Sequence, residues 1–443
     1  MKLKNFKSLI VVCSIIILFG CSNDDNNNSN LIAFQGEIDW MKTFGGSDEE
    51  SARSVIETSD GGYAVFGFTK STDGDITDKT VNVNDYWLLK LDAEGNLQWN
   101  KTIGGSGDDQ GQEVIQTQDN GFLITGYSMS SDGDASNNEG FHDNWFVKLD
   151  SSGNIEWEKS YGFAGHDHSY SVIQTQDGGY FSAGFLDITA SGGEGGLSKH
   201  GVGEFWGQKL NANGELEWRN FFGGSNNDRS YSVLQANDGG FVLLGATEST
   251  DFDITNNNGS YDFWVVKINA EGELVWQKAF GGSGIDIAYE AAHSDNNSYV
   301  IVGQTISSDG DITDNHGDSD FWVIKINDSG NVLWKKSFGG PQFDVARSID
   351  VTNDGGFVIA GASKSNSGDL DNNYGDNDFW VIKIDNSGNL TWQKNFGGDA
   401  FDFAYDIIET SRGELVVVGE SNSTNLEGAP NKGLLDLLAI KIK

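Results

Sequence analysis

Cysteine, proline and positive charge are all scarce in this chain. Of its 443 residues only Cys13 and Cys21 are cysteine, so a disulfide framework is excluded. Proline occurs twice against 59 glycines, which leaves the turns to Gly, Asn and Asp. Lys and Arg number 28 against 66 Asp and Glu. A field of that sign repels nucleic acid and anionic lipid surfaces, and it favours cations, basic proteins or neutral glycans as partners. The apolar run from Leu9 to Phe19 falls short of the about 20 residues that a membrane-crossing helix needs. Catalytic signatures are missing too: there is no GxSxG elbow, no HExxH pair and no GxxxxGK[ST] loop. Disorder is not the explanation, because the aromatic share is 12%.

What is present begins with a targeting segment. Lys2, Lys4 and Lys7 precede the apolar run, and Leu18-Phe19-Gly20-Cys21 follows it. This order resembles a lipoprotein signal peptide over residues 1–20, with Cys21 as the acylated residue. Without the three signal lysines the formal charge is 25 − 66 = −41. In residues 21–36, Cys21 is followed by SNDDNNNSN, the start of a polar tether lacking apolar periodicity. Ser22-Asn23-Asp24-Asp25 resembles the acidic export signal of surface lipoproteins of the Bacteroidota. The resemblance implies a lipid-anchored, surface-exposed protein of the outer membrane.

From Glu37 to Lys443 the chain copies itself. Trp40, Trp99, Trp157, Trp218, Trp276, Trp334 and Trp392 are 59, 58, 61, 58, 58 and 58 residues apart. A second series, Trp87, Trp145, Trp206, Trp264, Trp322 and Trp380, keeps step with the first, and Leu438 takes its seventh place. Repeats of this length are units that cannot bury their apolar faces alone. Each unit holds four strand-like runs separated by turn signals, such as the DGG turns at Asp60, Asp177, Asp238 and Asp354. The expected fold is therefore all-β: a seven-bladed β-propeller of four-stranded antiparallel blades. The chain opens on a fourth-type strand, EIDWMKTFGG, and closes on a third-type strand, DLLAIKIK. The last blade is complete only if the two ends pair, which also hides the sheet edges. The LD-x-x-G-x-x-x-W pattern resembles the repeats of pyrroloquinoline-quinone-type propellers, and the whole unit is similar to tandem repeats of secreted and lipid-anchored Bacteroidota proteins. Some quinoproteins place neighbouring cysteines at the cofactor. The mature chain has none to offer, so the resemblance implies the fold and not the quinone.

Antiparallel order sets the variable loops on one face, around the channel mouth, and three residue sets there invite chemistry. The acid of the GGSxxD junction recurs as Glu50, Asp109, Asp167, Asp228, Asp286, Asp344 and Asp402. It forms either a ring that attracts cations and basic peptides or a set of turn braces accepting amide hydrogen bonds. Loop aspartates recur as Asp132, Asp134 and Asp143, as Asp251, Asp253 and Asp262, and as Asp309, Asp311 and Asp320. Their oxygens suit calcium, although Asp314 stands where an EF-hand needs glycine. The third set departs from the repeat: His166 and His168 in YGFAGHDHS, His200 in the enlarged loop of the same unit and His142 in the neighbouring unit. With Asp167 and Glu194 they are candidates for a transition-metal or acid–base site. The acid opening each third strand and the lysine five residues on, as in Asp320 and Lys325, read as scaffold.

These features predict a non-enzymatic binding or scaffolding module acting through an acidic face. Two alternatives carry different tests: a carbohydrate-active enzyme, and a lectin-like glycan binder using Phe141, Phe252 and Tyr261 with or without calcium.

Overall fold

The computed structural model describes residues 34–187 and 200–443. The expected signal segment, Cys21, most of the tether and Glu194 lie outside them. The described chain forms seven four-stranded antiparallel sheets. We label the strands of each blade a to d; in the first blade they are Glu50–Glu57, Tyr63–Thr69, Asp85–Leu91 and Leu97–Ile103. Successive a strands contact one another all the way round, from the first blade through the seventh and back. The propeller expected from the repeat is the fold.

Strand c explains the second tryptophan series. In Asp320–Asn327 all residues except the last are buried, because both blade faces pack on neighbouring blades and no solvent face remains to impose alternation. Trp87, Trp145, Trp206, Trp264, Trp322 and Trp380 are fully buried, and so is Leu438. The aromatic residue before each tryptophan usually packs on the tryptophan of the next blade: Tyr86 lies 4.7 Å from Trp145 and Phe263 4.4 Å from Trp322, between ring centroids. The junction between the second and third blades departs from this rule. There Asn144 replaces the aromatic residue, and Phe163 and Phe221 cover Trp206 instead, at 5.6 and 5.4 Å. Phe163 is the phenylalanine of the irregular YGFAG junction.

The first tryptophan series, on strand d, joins blades from outside. Each ring from Trp40 to Trp334 lies under the c–d turn of the following blade, and Trp392 lies against Gly36 and Phe34, just before the closing strand. At Gly95 the backbone has φ +72° and an added Cβ would stand 2.8 Å from Trp40, so glycine is required twice over. The invariant lysine of strand c reaches the a–b turn. Its Nζ is 3.0 Å from Asp60 in the first blade, 2.8 Å from Asp238 in the fourth and 2.7 Å from Glu414 in the seventh. In the fifth blade, whose turn lacks DGG, Asp295 supplies the carboxylate at 2.8 Å. These charges serve the scaffold.

The ends meet as the strand count requires. Ile38–Phe44 pairs antiparallel with Asp436–Ile442, with Phe44 opposite Leu437, and becomes strand d of the seventh blade. The amides of Gln35 and Glu37 donate to the Lys443 carbonyl at 2.9 and 3.1 Å and extend the closure.

Candidate functional site at the channel mouth

The seven junction acids are 0% exposed. Asp286 shows the pattern: its carboxylate accepts from the Gly282 amide at 2.8 Å, the Thr305 hydroxyl at 2.5 Å and the Ser307 hydroxyl at 2.8 Å. Glu50, Asp109, Asp228, Asp344 and Asp402 are held alike, and Asp167 accepts from the Phe163 amide at 2.6 Å. These acids brace the d–a turn, and the solvent-facing ring that was the other expectation does not form.

The loop aspartates are also engaged with amides. Asp309 accepts from Ser283 at 2.7 Å and Asp311 from Gly281 at 3.3 Å. Asp132 and Asp134 do the same for Ser106 and Gly104, and Asp251 and Asp253 for Ser225 and Gly223. Asp143, Asp262 and Asp320 turn away and accept from Glu139, Asn258 and His316 within their own loops. The expected calcium sets are thus divided: two members of each fasten the loop to the turn, and the third closes the loop. Burial raises the carboxyls of Asp143 and Asp320 to about 6 and that of Asp262 to about 7.

The channel itself is built on a feature absent from the sequence reading. Every strand a carries a β-bulge, at register shifts such as Ala52/Ser54 and Ala288/Glu290. The bulged residue is the third after the junction acid, and a bulge re-aims its side chain. Arg53, Tyr170, Tyr231, Tyr289, Arg347 and Tyr405, with Gln112, line a cavity of about 290 Å³. Arg53 lies 3.7 Å over the Tyr405 ring and Arg347 3.9 Å over Tyr289. Tyr231 sits between Tyr170 and Tyr289, with centroids 5.1 and 5.3 Å away.

Beneath this ring runs a belt of hydrogen bonds between blades. Strand a is a sheet edge, so amides on its channel side need partners. The residue after the bulge supplies them to the next blade. Val114 donates to Ser54 at 3.4 Å, Val172 to Glu113 at 2.5 Å and Val233 to Ser171 at 3.3 Å. Ile349 donates to Glu290 at 2.9 Å, Ile407 to Ser348 at 3.2 Å and Val55 to Asp406 at 2.7 Å. The last of these crosses the closure. Burial pushes Glu113 up to about 8, Asp406 to about 6 and Glu290 well above the carboxylate range.

Three of the four candidate histidines meet at the rim. His142 Nδ1 lies 3.0 Å from His166 Nδ1 and 3.1 Å from His168 Nε2. All three are half-buried. Burial is the main cause that lowers His142 to about 4 and His168 to about 3, with the neighbouring histidines second. His168 joins this cluster to the channel: Tyr127, which lines the cavity, stacks on it at 3.9 Å, and the Tyr170 hydroxyl is 3.1 Å from its Nδ1. His200 goes elsewhere. It stands 3.3 Å from Glu204 and stacks on Phe252 at 4.1 Å. Phe141 and Phe252 are 56% and 64% exposed on this face, whereas Tyr261 is half-buried and its hydroxyl accepts from Asn227 at 2.9 Å.

No protein-family profile and no curated protein matches the chain. Among solved structures, a protein of unknown function from Bacteroides caccae is similar at 13% identity, over 72% of this chain and 94% of that one, with a TM-score of 0.41. BamB from Moraxella catarrhalis is similar at 12%, over 88% and 85%, with 0.41. The Pan2 WD40 domain of Neurospora crassa is similar at 10%, over 88% of each chain, with 0.49. No residue's role follows from these likenesses.

Proposed function

We propose that this propeller is a non-enzymatic binding module, lipid-anchored through Cys21 at the cell surface, which takes the end of a glycan chain into its channel mouth. The observation that carries this reading is the bulge ring. At one register the blades hold Arg53, Gln112, Tyr170, Tyr231, Tyr289, Arg347 and Tyr405, while the register immediately before it carries only Ala, Gly or Ser. A scaffold with sevenfold needs has no use for that variety. Tyrosine faces suit the apolar faces of sugar rings, and the guanidinium and amide groups suit their hydroxyls. Exposed Phe141 and Phe252 extend the aromatic surface around the opening.

Hydrolysis is the weaker reading. Glu113, Glu290 and Asp406, the carboxylates at the channel, each accept an amide from the next blade, and their place in the belt accounts for them. The test is a glycan and peptide array probed with the purified protein and with Tyr231→Ala and Arg347→Ala. Glycan binding that falls at least about tenfold in both variants, with unchanged melting, supports the reading. Absence of glycan binding, or binding indifferent to both substitutions, refutes it.

A further inference from the structure

The parallel bridge that joins His142 to His166 is not peculiar to them. The same bridge recurs at other blade junctions, as Glu49 with Leu435, Gly203 with Asn227, Tyr261 with Ile285, Ser319 with Phe343 and Asn377 with Phe401. The fold therefore sets two side chains together at these junctions whatever they are. Only between the second and third blades are both histidine. A third histidine, His168, occupies a register that holds Ser51, Gln110, Arg229, Ile287, Val345 and Phe403 elsewhere. Nothing in the scaffold calls for imidazole at any of the three places.

We propose that His142, His166 and His168 form a binding site for a divalent transition metal of the zinc type. Their ligand atoms all lie within 4.8 Å of one another, and among the described residues no other set of three His, Cys, Asp or Glu side chains does so. His142 Nδ1 is approached by two ring nitrogens at 3.0 and 3.1 Å. It has one in-plane lone pair or one proton, so it can satisfy one such neighbour well and not two. A cation between the rings resolves the conflict. Zinc–nitrogen bonds of about 2.0–2.1 Å at tetrahedral angles place ligand nitrogens roughly 3.3 Å apart, close to the spacing present.

The surroundings orient the rings for this use. His142 Nε2 is buried without a hydrogen-bond partner and points toward Asp108, whose carboxylate is 3.9 Å away. Asp108 is itself held by Asn84 at 2.6 Å and Gln110 at 3.0 Å. A proton on Nε2 facing that carboxylate leaves the Nδ1 lone pair turned to the metal. The Tyr170 hydroxyl, 3.1 Å from His168 Nδ1, can accept a proton donated by that nitrogen, which leaves the Nε2 lone pair, on the side of His142, free for the metal. Three protein ligands leave a fourth position for water or for a donor atom of a ligand held beside the channel. The site stands independently of the glycan reading, since metal binding requires no occupant in the channel.

The purified protein, stripped with a chelator and dialysed, is titrated with Zn²⁺ by calorimetry and with Co²⁺ by visible absorption. One ion per chain and the intense bands of tetrahedral cobalt are expected. Each ligand is then replaced by a residue that the same register carries in another blade, which keeps the fold: His142→Asn, His166→Asn and His168→Gln. Each is expected to weaken Zn²⁺ binding by about a hundredfold or more, and Tyr170→Phe by about tenfold. His200→Asn should leave it unchanged. The proposal is overturned if wild-type protein retains no ion and gives no tetrahedral cobalt spectrum, or if binding survives in His166→Asn and His168→Gln. Should a ligand variant fail to fold, the wild-type spectrum and Tyr170→Phe decide.

Discussion

Replacing Glu113 by Gln separates the belt's hydrogen bond from its ionisation. Gln keeps an oxygen able to accept from the Val172 amide, now 2.5 Å from the carboxylate, but cannot ionise. In the folded protein burial raises Glu113 from 4.5 to about 8. The folded state therefore holds a proton that the unfolded chain releases between those values, and stability falls as pH rises through that window. The contribution is full below pH 4.5 and gone above about 8. At about 1.4 kcal/mol per unit, the shift sets an upper bound of about 5 kcal/mol. Glu113 is half-buried at the channel, so solvent screens its charge, which brings the expected effect to about 1–2 kcal/mol. Other buried carboxyls, including Asp262 raised to about 7, slope the same way, so the quantity to measure is the difference between variant and wild type. Urea unfolding of both proteins at about pH 5 and pH 9 gives it. The variant should gain on wild type by about 1–2 kcal/mol between the two. A difference that stays constant, or one that moves the other way, shows that Glu113 is not held protonated in the belt.

Two further perturbations probe the scaffold. Deleting residues 37–44 removes strand d of the seventh blade and uncovers the edge of Asp436–Ile442; we expect a melting temperature lower by roughly 5 °C or more and self-association by light scattering, and an equally heat-resistant monomer would contradict closure by that strand. Trp322→Leu installs at a fully buried site the residue type that Leu438 provides in the seventh blade, so denaturant unfolding should report a folded protein weaker by about 2–4 kcal/mol; a change under about 1 kcal/mol would mean that the Phe263 contact at 4.4 Å adds little.

Much of the architecture was legible because its causes are local. Tryptophan spacing, turn glycines and the apolar runs of strand c report alternation and turn chemistry residue by residue, and counting strand types at the two ends was enough to expect the Ile38–Phe44 closure. The scaffold role of Lys90 and Lys267 was likewise foreseeable from a charge placed on a strand with no solvent face, whereas their partners, the turn acids Asp60 and Asp238, came only with the structure. The candidate sites were legible only in part. Asp309, Asp311 and Asp320 read along one loop as a ligand set, but hydrogen bonds to Ser283, Gly281 and His316 divide them. Sequence pattern brought His142 and His200 equally near His166; in the structure a bridge between blades holds the first beside it, and stacking on Phe252 keeps the second away. The ring from Arg53 to Tyr405 carried a signal, variety at the third residue after a repeated acid, whose meaning depends on a bulge. A bulge is a property of how two strands register against each other, and the belt beneath it of how neighbouring blades approach. Period and turns are determined by neighbours in the chain, and closure follows from counting the strands they make. Most of the channel lining and belt depends instead on contacts about 60 residues apart, and the histidine cluster on a bridge between blades 24 residues apart, all of which exist only once the blades stand around a common axis.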